Sequence, residues 1–181
     1  MSAELAILGL LVEQPLHGYG VEQLIEHRGM RNWTPIGFSS IYQLLDQLVT
    51  AGLAEVRVEP APGRGKQRRV HHVTAAGRQR WTGETLGALA DAGGSVGDFL
   101  LALSGLPLLD PDDVATALRR RAEHLQSRVA ALESDLAAVR PVPAHVEAMF
   151  DFTRTRLIAE RDWVRAFLTD LPANPTLEVP S

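Results

Sequence analysis

FSSIYQLLDQLVTAGLAEVRVEPAPGRGKQRRVHHVT, residues 38–74, changes its period part-way along. Up to Leu53, the apolar residues Ile41, Leu44, Leu45, Leu48 and Val49 recur at helical spacing, with Ser39 or Ser40 as N-cap and Gly52 as a stop. From there the period is two: Leu53, Glu55, Arg57 and Glu59 alternate with Ala54, Val56 and Val58, as in a half-buried strand. PAPGRGKQ is a turn by composition, and RRVHHVT returns as the second strand. The stretch therefore reads as a helix running into a hairpin with a basic tip.

Working outward, SAELAILGLLVEQ predicts a first helix over about residues 3–13, ended by Pro15. HGYGVEQLIEHRG predicts a second over about 18–28, with Gly29 as its stop, and Tyr19 is expected to cover the core edge. Three helices and a two-stranded ribbon make a winged helix-turn-helix over residues 1–82.

Downstream, a fourth helix capped by Thr74 ends near Gly93-Gly94, and SVGDFLLALSGL predicts a short buried helix. Asp110 caps a long helix with Pro111 in its first position. Along it Leu118, Ala122, Leu125, Val129, Leu132 and Leu136 recur at alternating steps of four and three, a heptad seam. PVP at 141–143 interrupts, and Val146, Phe150, Leu157, Val164, Phe167 and Leu171 mark a last helix to about 171. The expected fold is mainly α with a small β-hairpin wing. A coiled-coil-like helical dimerisation domain over 83–171 and a disordered tail over 172–181 complete it.

Apolar content of 45% and charged content of 22% are those of a globular chain. Without cysteine there are no disulfides, no thiol catalysis and no Cys-ligated zinc. No apolar run approaches the roughly 20 residues that span a bilayer, and no signal peptide is evident, so a cytoplasmic location without membrane association is expected. The net charge of −4 hides an asymmetry: residues 1–82 carry about +2 and residues 83–181 about −6. Between 57 and 80, Arg57, Arg64, Lys66, Arg68, Arg69, Arg78 and Arg80 face only Glu59.

ILGLLVEQPLHGYG, SSIYQLLDQLVTAGL and GRGKQRRVHHVTAAGR, in that order and spacing, resemble the winged-helix domain of the PadR family over about residues 5–80. That family is named for repressors of phenolic-acid decarboxylase genes. The resemblance implies a homodimeric transcriptional regulator, most often a repressor, that binds an inverted-repeat operator in double-stranded DNA. It also implies an aromatic or hydrophobic small-molecule effector held between the dimer halves, for which Trp33, Trp81 and Trp163 are candidate contacts. The chain departs from the family in having Val70-His71 where an aromatic pair is usual, and Asp46 and Gln47 where the reading helix is often basic.

With its apolar set turned inward, the reading helix presents Ser39, Ser40, Tyr42, Gln43, Asp46, Gln47 and Thr50. The serines suit a phosphate at a helix N-terminus, and Gln43 or Gln47 suits the bidentate contact to adenine. Arg64, Lys66, Arg68 and Arg69 would hold the backbone from the wing, with Arg28 and Arg31 as support. The heptad can pair between chains or within one; as a dimer seam it comprises Leu118, Ala122, Leu125, Val129, Leu132 and Leu136, flanked by Arg119, Arg120, Arg121 and Arg128 as solvent or partner-helix charges. His71 and His72 point to opposite strand faces and so do not share a metal; Asp110, Asp112 and Asp113 lack the glycine turn of a calcium loop. No catalytic constellation, metal or cofactor is assigned. The alternative is a winged helix that serves as a protein-interaction module without specific DNA binding.

Overall fold

The computed structural model describes residues 3–32, 38–60 and 67–171. They form α1 (Ala3–Glu13), β1 (Leu16–His17), α2 (Gly18–His27), a 3-10 turn (Met30–Asn32), α3 (Phe38–Thr50), β2 (Ala54–Glu59) and β3 (Arg68–Val73). After these come α4 (Ala75–Ala90), α5 (Val96–Ser104), a 3-10 turn (Leu106–Leu108), α6 (Pro111–Val139) and α7 (Ala144–Asp170). Two compact units result, Met1–Ala88 with Ser95–Leu109, and Leu89–Gly94 with Asp110–Ser181. The boundary expected at residue 82 falls later, because α4 runs unbroken to Ala90 and α5 belongs to the first unit. The tail expected to be disordered, 172–181, lies outside the described residues.

In the first unit α1 is apolar on every side, and Leu5, Ile7, Leu8, Leu10 and Leu11 are all buried, as such a helix must be. Trp81 of α4 lies over two glycines: a Cβ at Gly9 would come 2.7 Å from its Nε1, and one at Gly105 2.8 Å from its Cζ2. Ile41, Leu45 and Leu48 of α3 are fully buried. Each such side chain stabilises the fold by roughly 1.5–3 kcal/mol.

What ends α3 also aims the wing. Gly52 takes φ +71, the Leu53 N–H bonds the Leu48 carbonyl at 2.9 Å and the Gly52 N–H bonds that of Val49 at 3.0 Å, a Schellman close. The chain reverses there into β2. Across the sheet, the Thr74 hydroxyl donates to the Gly52 carbonyl at 2.7 Å and accepts from the Gly77 N–H at 3.0 Å, capping α4 as expected.

The sheet is antiparallel in the order β1-β3-β2, with Ala54 opposite Val73 and Glu59 opposite Arg68 in the wing. β1 adds two further pairs, Leu16 with His71 and His17 with Val70. A strand of two residues carries no period, so the sequence gives no sign of it.

In the second unit Asp110 accepts from the Asp112 N–H at 2.9 Å, the expected cap of α6. The pairs Arg121–Glu160, Glu133–Arg154 and Arg140–Glu147 rise along α6 while falling along α7, so the two helices are antiparallel. Leu125 and Val129 form a core with Leu157 and Ala92, flanked by Leu132 and Ile158. Of the heptad, Leu118, Ala122, Leu125 and Val129 are buried within a single chain, and Leu132 and Leu136 are half-buried. A heptad repeat is satisfied equally well by a helix of the same chain folding back after PVP. Arg121, expected as a solvent or partner-helix charge, is 3% exposed. It donates to the Asp91 carbonyl at 2.5 Å and pairs with Glu160 at 2.5 Å, while Arg128 donates to the Ala92 carbonyl.

Candidate nucleic-acid interface

α3 sorts its residues as its period requires. Ile41, Leu45 and Leu48 go inward, and Tyr42, Gln43, Asp46 and Gln47 are exposed. Because the helix already begins at Phe38, Ser39 and Ser40 lie inside its first turn and are not its N-cap. Arg64, Lys66, Trp33 and the side chain of Ser39 lie outside the described residues.

The other wing arginines are placed. β3 carries Arg68 and Arg69, both exposed, and sets them beside α3 and the start of α2. His17, Tyr19, Tyr42, Asp46, Arg68 and Arg69 line one open groove of about 470 Å³. Tyr42 and Tyr19 are 55% and 58% exposed, so Tyr19 does not cover the core edge; both rings stand at the groove. Gly18 makes this possible, since a Cβ there would overlap the Tyr42 ring.

Two residues expected to support the backbone contacts are occupied elsewhere. Arg28 holds Glu13 with two bonds of 2.7 Å, which ties the end of α2 to α1 and raises the Arg28 pKa, through that hydrogen bond first. Arg31 pairs with Glu26 at 2.5 Å. Arg68 and Arg69 line the groove together with Tyr42 and Asp46 of α3.

His17 is the contributor that sequence reading missed. It is the N-cap of α2, its Nδ1 accepting the Gly20 N–H at 2.8 Å. Histidine is not among the usual capping residues, and its pairing with Val70 spans most of the domain, so no local signal marks it. Gly20 belongs to the same device: a Cβ there would sit 2.7 Å from His17 Nδ1.

His71 is buried at 5% exposure and donates from Nδ1 to the Leu16 carbonyl at 3.3 Å, which fastens β1 to β3. Burial pushes its pKa down, Arg69 and His72 push the same way, and the Leu16 bond and Asp46 oppose. Of the candidate effector contacts, Trp81 is enclosed by Gly9 and Gly105, whereas Trp163 is 46% exposed and stacks on Phe167 at 5.1 Å. Among the described residues no His, Asp and Glu cluster could hold a metal ion, and no helix is long and apolar enough to cross a membrane.

An exposed helix face without Lys or Arg, flanked by arginines from a β-ribbon and seated on two packed helices, is that of a winged helix-turn-helix. Residues 7–82 match the model of the transcriptional regulator PadR-like family. Over those residues, somewhat under half of the chain, it is similar to that family of transcriptional regulators. Among solved structures it is similar to Bacillus subtilis PadR in complex with operator DNA, at 16% identity over 93% of this chain and 98% of that one, TM-score 0.43. It is also similar to smu.1604c from Streptococcus mutans UA159, at 18% identity over 93% and 99%, TM-score 0.44. The PadR-like regulator BC1756 from Bacillus cereus matches at 19% identity over 93% and 96%, TM-score 0.40. No curated protein sequence matches the chain.

Proposed function

We propose that the protein is a homodimeric, DNA-binding transcriptional repressor released from its operator by a small molecule. The observation that carries the reading is the groove itself: α3 offers amide and hydroxyl groups suited to base edges, and its phosphate-binding charge comes from the wing beside it. Gln43 and Gln47 would read bases, with Tyr42 and Ser40 beside them. Arg68 and Arg69, continued by Arg64 and Lys66 in the wing turn, would hold the backbone.

The homodimer is supported by a surface other than the heptad seam. Met149, Phe152 and Trp163 stand on one face of α7 at 66%, 72% and 46% exposure among the described residues. A second copy placed there would bury them and set two winged helices at a fixed spacing. The stacked Trp163–Phe167 pair would then offer an aromatic effector a place to act on that spacing.

The test is a mobility-shift titration against the DNA upstream of the protein's own gene at two salt concentrations. Specific binding with a steep salt slope supports the regulator; no binding at low salt supports a protein-interaction module instead. Gln43→Ala is expected to relax preference at particular bases by roughly 1–3 kcal/mol. Sedimentation showing a monomer at micromolar concentration would sink the dimer.

A further inference from the structure

His17 and Arg68 meet in a way that the described residues leave unsatisfied. Arg68 Nη1 lies 3.3 Å from His17 Nε2. The contact is a hydrogen bond only if Nε2 has a free lone pair. It does not, because the opposite nitrogen is already committed: Nδ1 accepts the Gly20 backbone N–H, which can only donate. A neutral imidazole with its lone pair on Nδ1 carries its proton on Nε2. Turning the ring over would face a carbon to Gly20 and lose the cap of α2. Two donors therefore face each other at 3.3 Å across the wall of an open groove.

We propose that this donor pair is a binding site for one DNA backbone phosphate, with an oxygen accepting from His17 Nε2–H and from Arg68 together. The inference rests on the DNA-binding reading and deepens it. An anionic oxygen is the chemistry that turns a donor–donor contact into two charge-assisted hydrogen bonds. The fold fixes both partners. His17 is registered against Val70 on β3, and Arg68 is two residues along that strand on the same face. The N-terminus of α2 is thus tied to the wing through one residue with two functions. Its Nδ1 holds the helix, and its Nε2 faces the ligand. Tyr42 and Asp46 of α3 line the same groove, while His17 and Arg68 come from β1 and β3, so the site lies beside the reading helix and not on it.

The test is fluorescence anisotropy of the full chain with a labelled mixed-sequence duplex, since a backbone contact is independent of sequence. His17→Asn is the separating variant, because an Asn oxygen can replace Nδ1 as cap but cannot reach the Nε2 position. It should leave the melting temperature unchanged, weaken duplex binding about tenfold and leave the salt slope as it was. Arg68→Ala should weaken binding by a similar factor and lower the slope by about 0.9. His17→Gln places a donor near Nε2 without the cap, so it should melt earlier and bind nearly as tightly as wild type. The double variant H17N/R68A should lose much less than the product of the single losses, because both act on one phosphate.

His17→Asn binding like wild type, or single losses that multiply in the double variant, would overturn the shared site. So would inorganic phosphate displacing the duplex at equal phosphate concentration, which would indicate a free-anion pocket. Wild type that fails to bind the duplex at low salt is a different result: it removes the DNA-binding reading itself.

Discussion

Arg69 Nη2 lies 3.8 Å from Asp46 Oδ1, so the acid at the centre of α3 faces the second arginine of β3. Both side chains are about two-thirds exposed, 67% and 68%, and such a pair is worth at most about 1 kcal/mol. The contact therefore does not hold the wing in place. Its consequence is for ligand binding: a carboxylate stands among groups that are to approach a polyanion.

Replacing Asp46 by Asn should tighten binding to a mixed-sequence duplex about fivefold, which is about 1 kcal/mol. Because the ion pair is weak, most of the gain comes from removing repulsion of phosphate, so it should survive in an Arg69→Ala background. Titrations of the two single variants and the double variant measure this. Weaker binding by Asp46→Asn would mean that the carboxylate accepts a hydrogen bond from a base instead.

Glycines 52 and 77 test two different causes of a glycine requirement at one turn. Gly52 has φ +71 with nothing within 4 Å of a would-be Cβ, so Gly52→Ala should cost only the left-handed backbone penalty, about 1–2 kcal/mol. At Gly77 a Cβ would overlap the Leu53 carbonyl oxygen, and that oxygen accepts the Thr74 N–H at 3.0 Å. Gly77→Ala should therefore cost more than Gly52→Ala in denaturant unfolding. Equal losses would mean that the turn yields at Gly77.

Much of the first unit is legible in the sequence because its signals are local. The apolar spacing in α3, the glycine after it and the shift to a period of two all lie within 38–74 and agree with one another. The parts that escaped depend on distant partners. β1 is two residues long and exists because His71, far along the chain, receives Leu16. Arg121 looks like any charge on a polar helix face until the carbonyl of Asp91 and the carboxylate of Glu160 close over it. The heptad was visible, but a repeat specifies a partner helix without saying which chain supplies it. The candidate site divides the same way: Tyr42, Gln43, Arg68 and Arg69 follow from position in the motif, whereas His17 follows only from the fold.

His71 makes the first unit sensitive to acid. Its folded pKa is lowered, by burial first, below the ordinary value of about 6.5. Above that value both folded and unfolded chains are neutral at this residue, and the stability is fully present. As the pH falls below about 6.5 the unfolded chain takes up a proton that the folded unit refuses, so stability declines towards the folded pKa. Melting curves between pH 7.5 and 5 should show a shallower decline for His71→Phe than for wild type. Parallel declines would assign the acid sensitivity to other groups.

Arg121 should be the charge on which the second unit depends most. At 3% exposure it serves the carbonyls of Leu89 and Asp91 at the end of α4 and the carboxylate of Glu160 on α7. Removing one partner of a buried pair leaves the other without compensation, so Arg121→Ala should destabilise the protein by about 3–5 kcal/mol. Glu160 is 26% exposed and can turn to water, so Glu160→Gln should cost distinctly less. Arg120→Ala, one position along on an exposed part of α6, should change stability by under about 0.5 kcal/mol. Chemical denaturation of the three variants checks the order. An Arg121→Ala midpoint no lower than that of Arg120→Ala would mean that the arginine spans those groups without holding them.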